Sequence, residues 1–541
     1  MKKWMSGALA IVSVGALTLA VPATAQAAPP SAAAKAPTVS WGSCASFGDS
    51  GPGLVRAGAQ CARVKVPLDY AKPRGTKITI AISRVKHTVA RSKYQGVVLV
   101  NPGGPGGSGL GLSRLGGAIP KNAGAAYDWI GFDPRGVGQS APAVSCDPSY
   151  GGYDRPRYEP STTEIRDAWF ARTNAYTTAC AEKNGPILDH LTTRDVAKDL
   201  DQIRIALGQK RINYYGFSYG TYLGQVYSSL FPSHVRRMIF DGTVDPRDVW
   251  YQGNLNQNEP FDKNVNRWFA WIAKYDDVYH LGTTTRAVRN LFYDTQEKLY
   301  DEPVADADGN RLGGSEWNDS FLYAGYYQST WTDLARVFSD FVNQGDVASL
   351  NAAYLDASGY GDDNGYAVYL GVQCTDAAWP TSWDKWARDN WALDAIAPFE
   401  TWANAWFNEP CRHWPAKAHK PVRVKGAKST SVLMINETYD AATPYAGSIE
   451  VRKRYPGARL VAVSRGTTHS GSLGGNACTD NRIADYLLTG TLPRRVSGNR
   501  ADVVCQPLPQ PVPEQAAART QSATPAPSEL RQQMQRDAIR P

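Results

Sequence analysis

The chain has 541 residues, 43% of them hydrophobic and 20% charged, with a formal net charge of +8. Its basic residues are spread out, with no dense Lys/Arg tract interleaved with aromatics, which argues against nucleic-acid binding. A chain of this length exceeds one compact core, so a core domain plus an insertion or second domain is expected.

Lys2 and Lys3, an apolar stretch from about Ala8 to Val21 and the run Ala23-Thr24-Ala25-Gln26-Ala27-Ala28 make a secretory signal peptide. Residues 1–27 are therefore expected to be removed and the mature protein to be secreted. No later stretch approaches the roughly 18 apolar residues of a spanning helix, so no membrane association is expected after cleavage. Residues 28–39 are Ala/Pro-rich and read as a flexible leader or pro-segment. All eight cysteines lie beyond the signal, and an even number in an exported chain favours disulfides. Spacing suggests neighbours: Cys44 with Cys61, Cys146 with Cys180, Cys374 with Cys411, and Cys478 with Cys505.

Strand-like runs follow at Ile78-Thr-Ile-Ala-Ile-Ser83, 96–100 and Tyr127-Asp-Trp-Ile-Gly-Phe132, short apolar stretches that suit a sheet covered on both faces. The second feeds Asn101-Pro-Gly-Gly-Pro-Gly-Gly-Ser-Gly109, a loop whose backbone N–H groups can approach a ligand. It lacks the Lys-Ser/Thr of a phosphate loop, and its match to a dinucleotide pattern is what so many glycines produce by themselves. The third feeds Asp133-Pro-Arg-Gly136, where an Arg135 ion pair is expected to hold the glycine-rich loop from beneath. Val196, Leu200, Ile203 and Leu207 mark one face of a helix ended by Gly208.

Strand 212–215 then runs into Gly216-Phe217-Ser218-Tyr219-Gly220 and a helix to about Leu230. Strand, strained serine turn and helix make the nucleophile elbow of an α/β-hydrolase. The N–H groups of Tyr219 and Gly104 are the candidate oxyanion donors. After strand 235–240 the texture changes: residues 246–425 hold 12 of the 16 tryptophans and many helical stretches, among them 265–275 and 332–342. Alternating character resumes at 431–435, 448–454 and 459–463. The fold expected is thus an α/β-hydrolase core with a mostly parallel sheet (40–245 and 426–506), interrupted by a mainly helical cap (246–425). A tail, 507–541, is expected to be disordered.

A serine hydroxyl needs a base to take its proton and a carboxylate to orient that base, in the chain order serine, acid, histidine. Of seven histidines only His469 follows a late core strand. The acid belongs after strand 431–435, where Asp440 is the first choice and Glu437 the rival. Thr443 is placed either to bond the acid or histidine or to cap a helix.

These motifs resemble those of the secreted bacterial tripeptidyl aminopeptidases, relatives of prolyl iminopeptidases: Asn101-Pro-Gly-Gly-Pro-Gly-Gly107, Asp133-Pro-Arg-Gly-Val-Gly-Gln-Ser140, Gly216-Phe-Ser-Tyr-Gly220, and Asp440-Ala-Ala-Thr-Pro444 with His469. The likeness covers about residues 40–505. It departs from the prolyl iminopeptidase pattern at Asn101, where those enzymes usually carry histidine, and at Phe217 and Tyr219. It implies release of three residues, or four, from a free N-terminus. An exopeptidase must recognise an ammonium group, which calls for carboxylates in a partly closed pocket; Glu259, Asp262 and Asp376 in the cap are the candidates. The expected partners are peptide or protein substrates of a monomeric enzyme, with no cofactor, metal or nucleic acid. A lipase or esterase with the same triad is the enzymatic rival, and a non-catalytic binding protein on this fold the rival from another class.

Overall fold

Alternation decides which side of the sheet each residue covers. In β3 (Val97–Asn101) and β5 (Ile212–Phe217) every residue is buried. Val97, Leu99 and Tyr214 enter one apolar cluster, while Val98, Val100 and Tyr215 enter another on the opposite face. The computed structural model that shows this describes residues 39–513. The expected signal peptide, nearly all of the leader and most of the tail lie outside the described residues.

The other strands are β1 (Gln60–Pro67), β2 (Lys77–Val85), β4 (Asp128–Phe132), β6 (Val235–Asp241), β7 (Val304–Ala305), β8 (Arg311–Leu312), β9 (Val432–Glu437), β10 (Ala458–Val463) and β11 (Val503–Cys505). Nine form one sheet in the order β1-β2-β4-β3-β5-β6-β9-β10-β11, and β7 and β8 make a small separate hairpin. β1 and β2 pair antiparallel, as do β2 and β4, and every other neighbour is parallel. The expected strands are present to within a residue or two. Sequence reading missed β1, whose Arg63 and Lys65 break up an edge strand, and β11, which has three residues. The helix Thr193–Ala206 buries Val196, Leu200 and Ile203 as its spacing predicts.

The Trp-rich region has its own apolar core, including Trp268, Phe269, Trp271, Trp317, Phe321, Trp331 and Phe338. Its edges differ from the composition shift at two places. The helix Thr163–Asn184, placed by sequence reading in the first core segment, stacks Trp169 on Trp406 at 5.4 Å between centroids. Its apolar residues fall on no single stripe, so periodicity does not reveal it. Conversely, Val368, Leu370 and Val372 of the helix Asn364–Asp376 join the main core cluster rather than the cap's.

The structure places all four neighbouring cysteine pairs at bonding distance: Cys44 and Cys61, Cys146 and Cys180, Cys374 and Cys411, Cys478 and Cys505. The start of the tail departs from the expectation. Pro511 O accepts from Trp271 Nε1 at 2.9 Å and Pro509 O from Gln328 Nε2 at 2.8 Å. Carbonyls of a proline-rich extended segment remain free to accept, which an apolar pattern does not register. Among the described residues no helix is long and apolar enough to cross a membrane.

The Asp133-Pro-Arg-Gly136 turn also departs from its expected role. Arg135 does not reach the glycine-rich loop. It forms a two-pronged pair with Asp199, both contacts 2.7 Å, and donates to the carbonyls of Pro67, Leu68 and His190. Both partners are buried. Replacing Arg135 by Gln should strand the Asp199 charge and cost about 3–5 kcal/mol, read as a lowered midpoint in urea or thermal unfolding.

Candidate active site

β5 ends where Ser218 takes φ 53° and ψ −127°, a conformation that L-residues avoid, and the helix Tyr219–Leu230 starts at the next residue. Ser218 N donates to Asp241 O at 2.9 Å, which fixes the turn to the end of β6. The loop after β3 closes over it. Gly103, at φ 106°, lies so near that a Cβ there would come 2.8 Å from Ser218 Cβ and 3.1 Å from Tyr219 N. Gly104, Ser218 and Tyr219 line one cavity, and no described residue accepts from the N–H of Gly104 or Tyr219. Asp133 holds this loop in place of Arg135, accepting from Ser108 Oγ at 2.6 Å and Gly109 N at 3.1 Å, and burial pushes its carboxyl up to about 6.

After β9, Asp440 and His469 meet: His469 Nδ1 is 2.9 Å from each carboxylate oxygen of Asp440. Thr443 completes the carboxylate's shell, with Oγ1 donating at 2.7 Å and N at 2.9 Å. The helix Tyr445–Arg454 takes no side-chain cap from it. Glu437 is oriented elsewhere. It accepts from Thr468 N at 2.6 Å and lies against Gly466 and Gly471, bracing the histidine loop from within.

The serine and histidine ends are brought to one atom. Asp241 O accepts from Ser218 N and, at 3.2 Å, from Ser470 Oγ, the residue after the histidine. Among the hydrogen bonds of the described residues, none yet joins Ser218 Oγ to His469 Nε2.

The cap reaches this site directly. His469 N donates to Tyr326 O at 2.8 Å, and the Tyr326 ring stands edge-on to the imidazole at 5.8 Å. Asn264, on the cap helix Tyr251–Ile272, donates to Tyr439 O at 2.9 Å, Gly325 O at 3.1 Å and Thr467 O at 3.4 Å. One buried amide thus joins the cap to the acid loop and the histidine loop. Sequence reading missed Asn264 and Asp241 because each acts through residues far away in the chain.

Between cap and core lies a cavity of about 510 Å³ with Ser218 in its wall, inside the roughly 300–1,000 Å³ typical of small-molecule sites. Of the three expected anchors only Glu259 lines it, and Glu259 is paired with Lys263 at 2.5 Å. Asp262 is buried outside the lining and accepts from Asn266 Nδ2 at 2.8 Å. Asp376 is a joint. It accepts from Thr193 N at 2.8 Å, Thr193 Oγ1 at 2.5 Å and Trp250 Nε1 at 3.3 Å, and Thr193 Oγ1 meets Tyr219 OH at 2.7 Å. Burial pushes Asp376 up to about 6.

Among the lining carboxylates that sequence reading did not single out, Glu400 stands apart. Asp245, Asp248, Asp319, Asp362 and Asp363 also line the cavity, but each has a hydrogen-bond or ion-pair partner. Among the described residues Glu400 has none. Burial, with the charge of Asp319 adding to it, pushes its carboxyl well above the usual range. Its immediate sequence, Pro398-Phe399-Glu400-Thr401, carries no motif that would single it out. No group of three or more His, Cys, Asp or Glu among the described residues is arranged to hold a metal ion.

Residues 96–466 match the family model described as alpha/beta hydrolase fold, and residues 397–536 match the one described as TAP-like protein. The chain is 42% identical over 466 residues to a tripeptidyl aminopeptidase of Streptomyces lividans, covering 84% of this chain and 85% of that one. It is 31% identical over 478 residues to the serine protease Hip1 of Mycobacterium tuberculosis (strain ATCC 25618 / H37Rv), covering 84% and 89%. It is also 31% identical over 504 residues to a protein named carboxylesterase B from the same strain, covering 89% and 95%.

The two acids of the β9 loop separate by experiment. Asp440→Asn should lower kcat by about 10⁴, the size expected when the base loses its orienting carboxylate. Glu437→Gln should leave kcat within about tenfold of wild type, since it keeps an acceptor for Thr468 N; steady-state kinetics on a chromogenic peptide measures both.

Proposed function

This chain belongs to the tripeptidyl aminopeptidase family of α/β-hydrolases and is a serine-type hydrolase acting on peptide bonds; from that premise we propose that it is exported and releases tripeptides from the free N-terminus of peptides and proteins. Tetrapeptides are the alternative product. In this reading Ser218 Oγ attacks the scissile carbonyl carbon while its proton passes to His469 Nε2. Asp440 stabilises the imidazolium through Nδ1, and the N–H groups of Gly104 and Tyr219 receive the developing oxyanion. The imidazolium then protonates the leaving amine, and water hydrolyses the acyl-enzyme by the same route in reverse. The signal-like N-terminus and four disulfides support export.

The observation that carries the exopeptidase reading is Glu400. Glu400 lines the cavity with no cation beside its carboxyl, which burial raises well above the usual range, and an arriving substrate ammonium would draw it to the charged form. It shares its cavity with Ser218, so a peptide anchored there by its amino group presents a bond near its N-terminus to the nucleophile. An esterase would have no use for such an anchor.

Ser218→Ala should abolish release of chromogen from tripeptidyl substrates and labelling by a fluorophosphonate, with circular dichroism unchanged. Mass spectrometry of the wild-type products should show three-residue fragments, and N-acetylation of the substrate should block cleavage. Equal rates on acetylated and free substrates would replace this reading with an endopeptidase or esterase.

Glu400→Gln should raise KM for free-amine tripeptidyl substrates at least tenfold while leaving the hydrolysis rate of a small activated ester unchanged. Equal losses on both substrates would assign Glu400 to folding instead.

A further inference from the structure

Ser470 follows the histidine, the proposed reaction gives it no part, and its geometry is unusual. It holds φ 51°, in the left-handed region that non-glycine residues rarely occupy, and it is 7% exposed. Its hydroxyl donates to Asp241 O at 3.2 Å and lies 3.4 Å from His469 Nε2. Space for it is made at Gly242, φ 67°, where a Cβ would stand 2.6 Å from Ser470 Oγ and 3.0 Å from His469 Cε1.

The direction of these bonds sets what the hydroxyl can do. With Asp440 on Nδ1, the neutral imidazole carries its proton on Nδ1 and a lone pair on Nε2. Ser470 spends its own proton on Asp241 O, so it turns lone pairs toward Nε2. In the resting enzyme two lone pairs face each other, consistent with a long contact. Once Nε2 has taken the proton of Ser218, the same oxygen becomes an acceptor for Nε2–H. The interaction therefore turns on only after proton transfer, the kind that lowers a barrier rather than tightening substrate binding.

We propose that Ser470 is a positioning residue whose hydroxyl accepts a hydrogen bond from protonated His469 Nε2 and steadies the imidazolium between Ser218 and the leaving amine. No proton moves to Ser470: it passes from Ser218 Oγ to Nε2 and from Nε2 to the departing nitrogen. The backbone strain at Ser470 sets the direction of the hydroxyl, and Asp241 O ties that direction to the serine turn. This rests on the triad reading above.

Ser470→Ala and Ser470→Gly test it together, because glycine removes the hydroxyl while relieving the strained φ. Both variants should lose about tenfold in kcat with KM unchanged, and fluorophosphonate labelling should slow by a similar factor. Ser470→Gly should melt at or above the wild-type temperature. In a His469→Ala background Ser470→Ala should cost nothing further, since no imidazolium forms. Wild-type kcat in Ser470→Gly, or a full tenfold loss repeated in the His469→Ala background, would overturn the proposal. Activity surviving in Ser218→Ala would instead overturn the triad on which it rests; a dead Ser218→Ala beside a fully active Ser470→Gly would sink this inference alone.

Discussion

One main-chain oxygen, Asp241 O at the end of β6, receives Ser218 N from the serine turn and Ser470 Oγ from the histidine loop. The carboxylate of the same residue takes Ser472 N at 2.8 Å and the Ser472 hydroxyl as well. Ser472 Oγ in turn meets Tyr215 OH of β5 at 2.6 Å. Two loops more than two hundred residues apart in sequence are thereby set against each other by a central strand rather than by their own conformational preferences. The proton transfer proposed between them would require the groups to be held to within about half an ångström, which calls for such support. The strained φ values at Ser218 and Ser470 persist because this network over-determines them.

The cap does more than cover the site. Asn264 and Tyr326 bond the acid and histidine loops, and residues 509 and 511 bond the cap to the chain that leaves β11. Asp376 and Thr193 extend the same logic to the far side of the serine turn, reaching the Tyr219 hydroxyl. The cavity is thus walled by elements that are hydrogen-bonded to the serine turn and to the acid and histidine loops, so that, in the proposed reaction, contacts made in the cavity bear on the geometry of those groups.

The buried charges of the core obey a different rule. Arg135 and Asp199 neutralise one another, and Asp133 is surrounded by donors without a cation, as Asp376 is. Each has its hydrogen bonds filled from within the protein and none opens on the cavity. Glu400 is in the opposite position, lining the cavity and unmatched. That contrast, more than acidity as such, distinguishes a group built to hold the fold from one available to a ligand.

What the sequence determined by itself was local: the strands whose apolar residues alternate, the serine between a strand and a helix, the glycine loop after β3, the histidine and aspartate after late strands, and cysteines close enough in the chain to pair. Such features depend on neighbours within a few residues, so a one-dimensional reading reaches them. Even the pairing of Glu259 with Lys263, four positions along a helix, was within its reach. The partners of Asp376, Arg135, Asn264 and Asp241 were decided only by the tertiary structure. Thr193 and Asp376 are separated by 183 positions, and Ser470 and Asp241 by 229. Whether a carboxylate ends up satisfied or exposed to a cavity depends on which distant donors the fold brings beside it, and no local pattern encodes that.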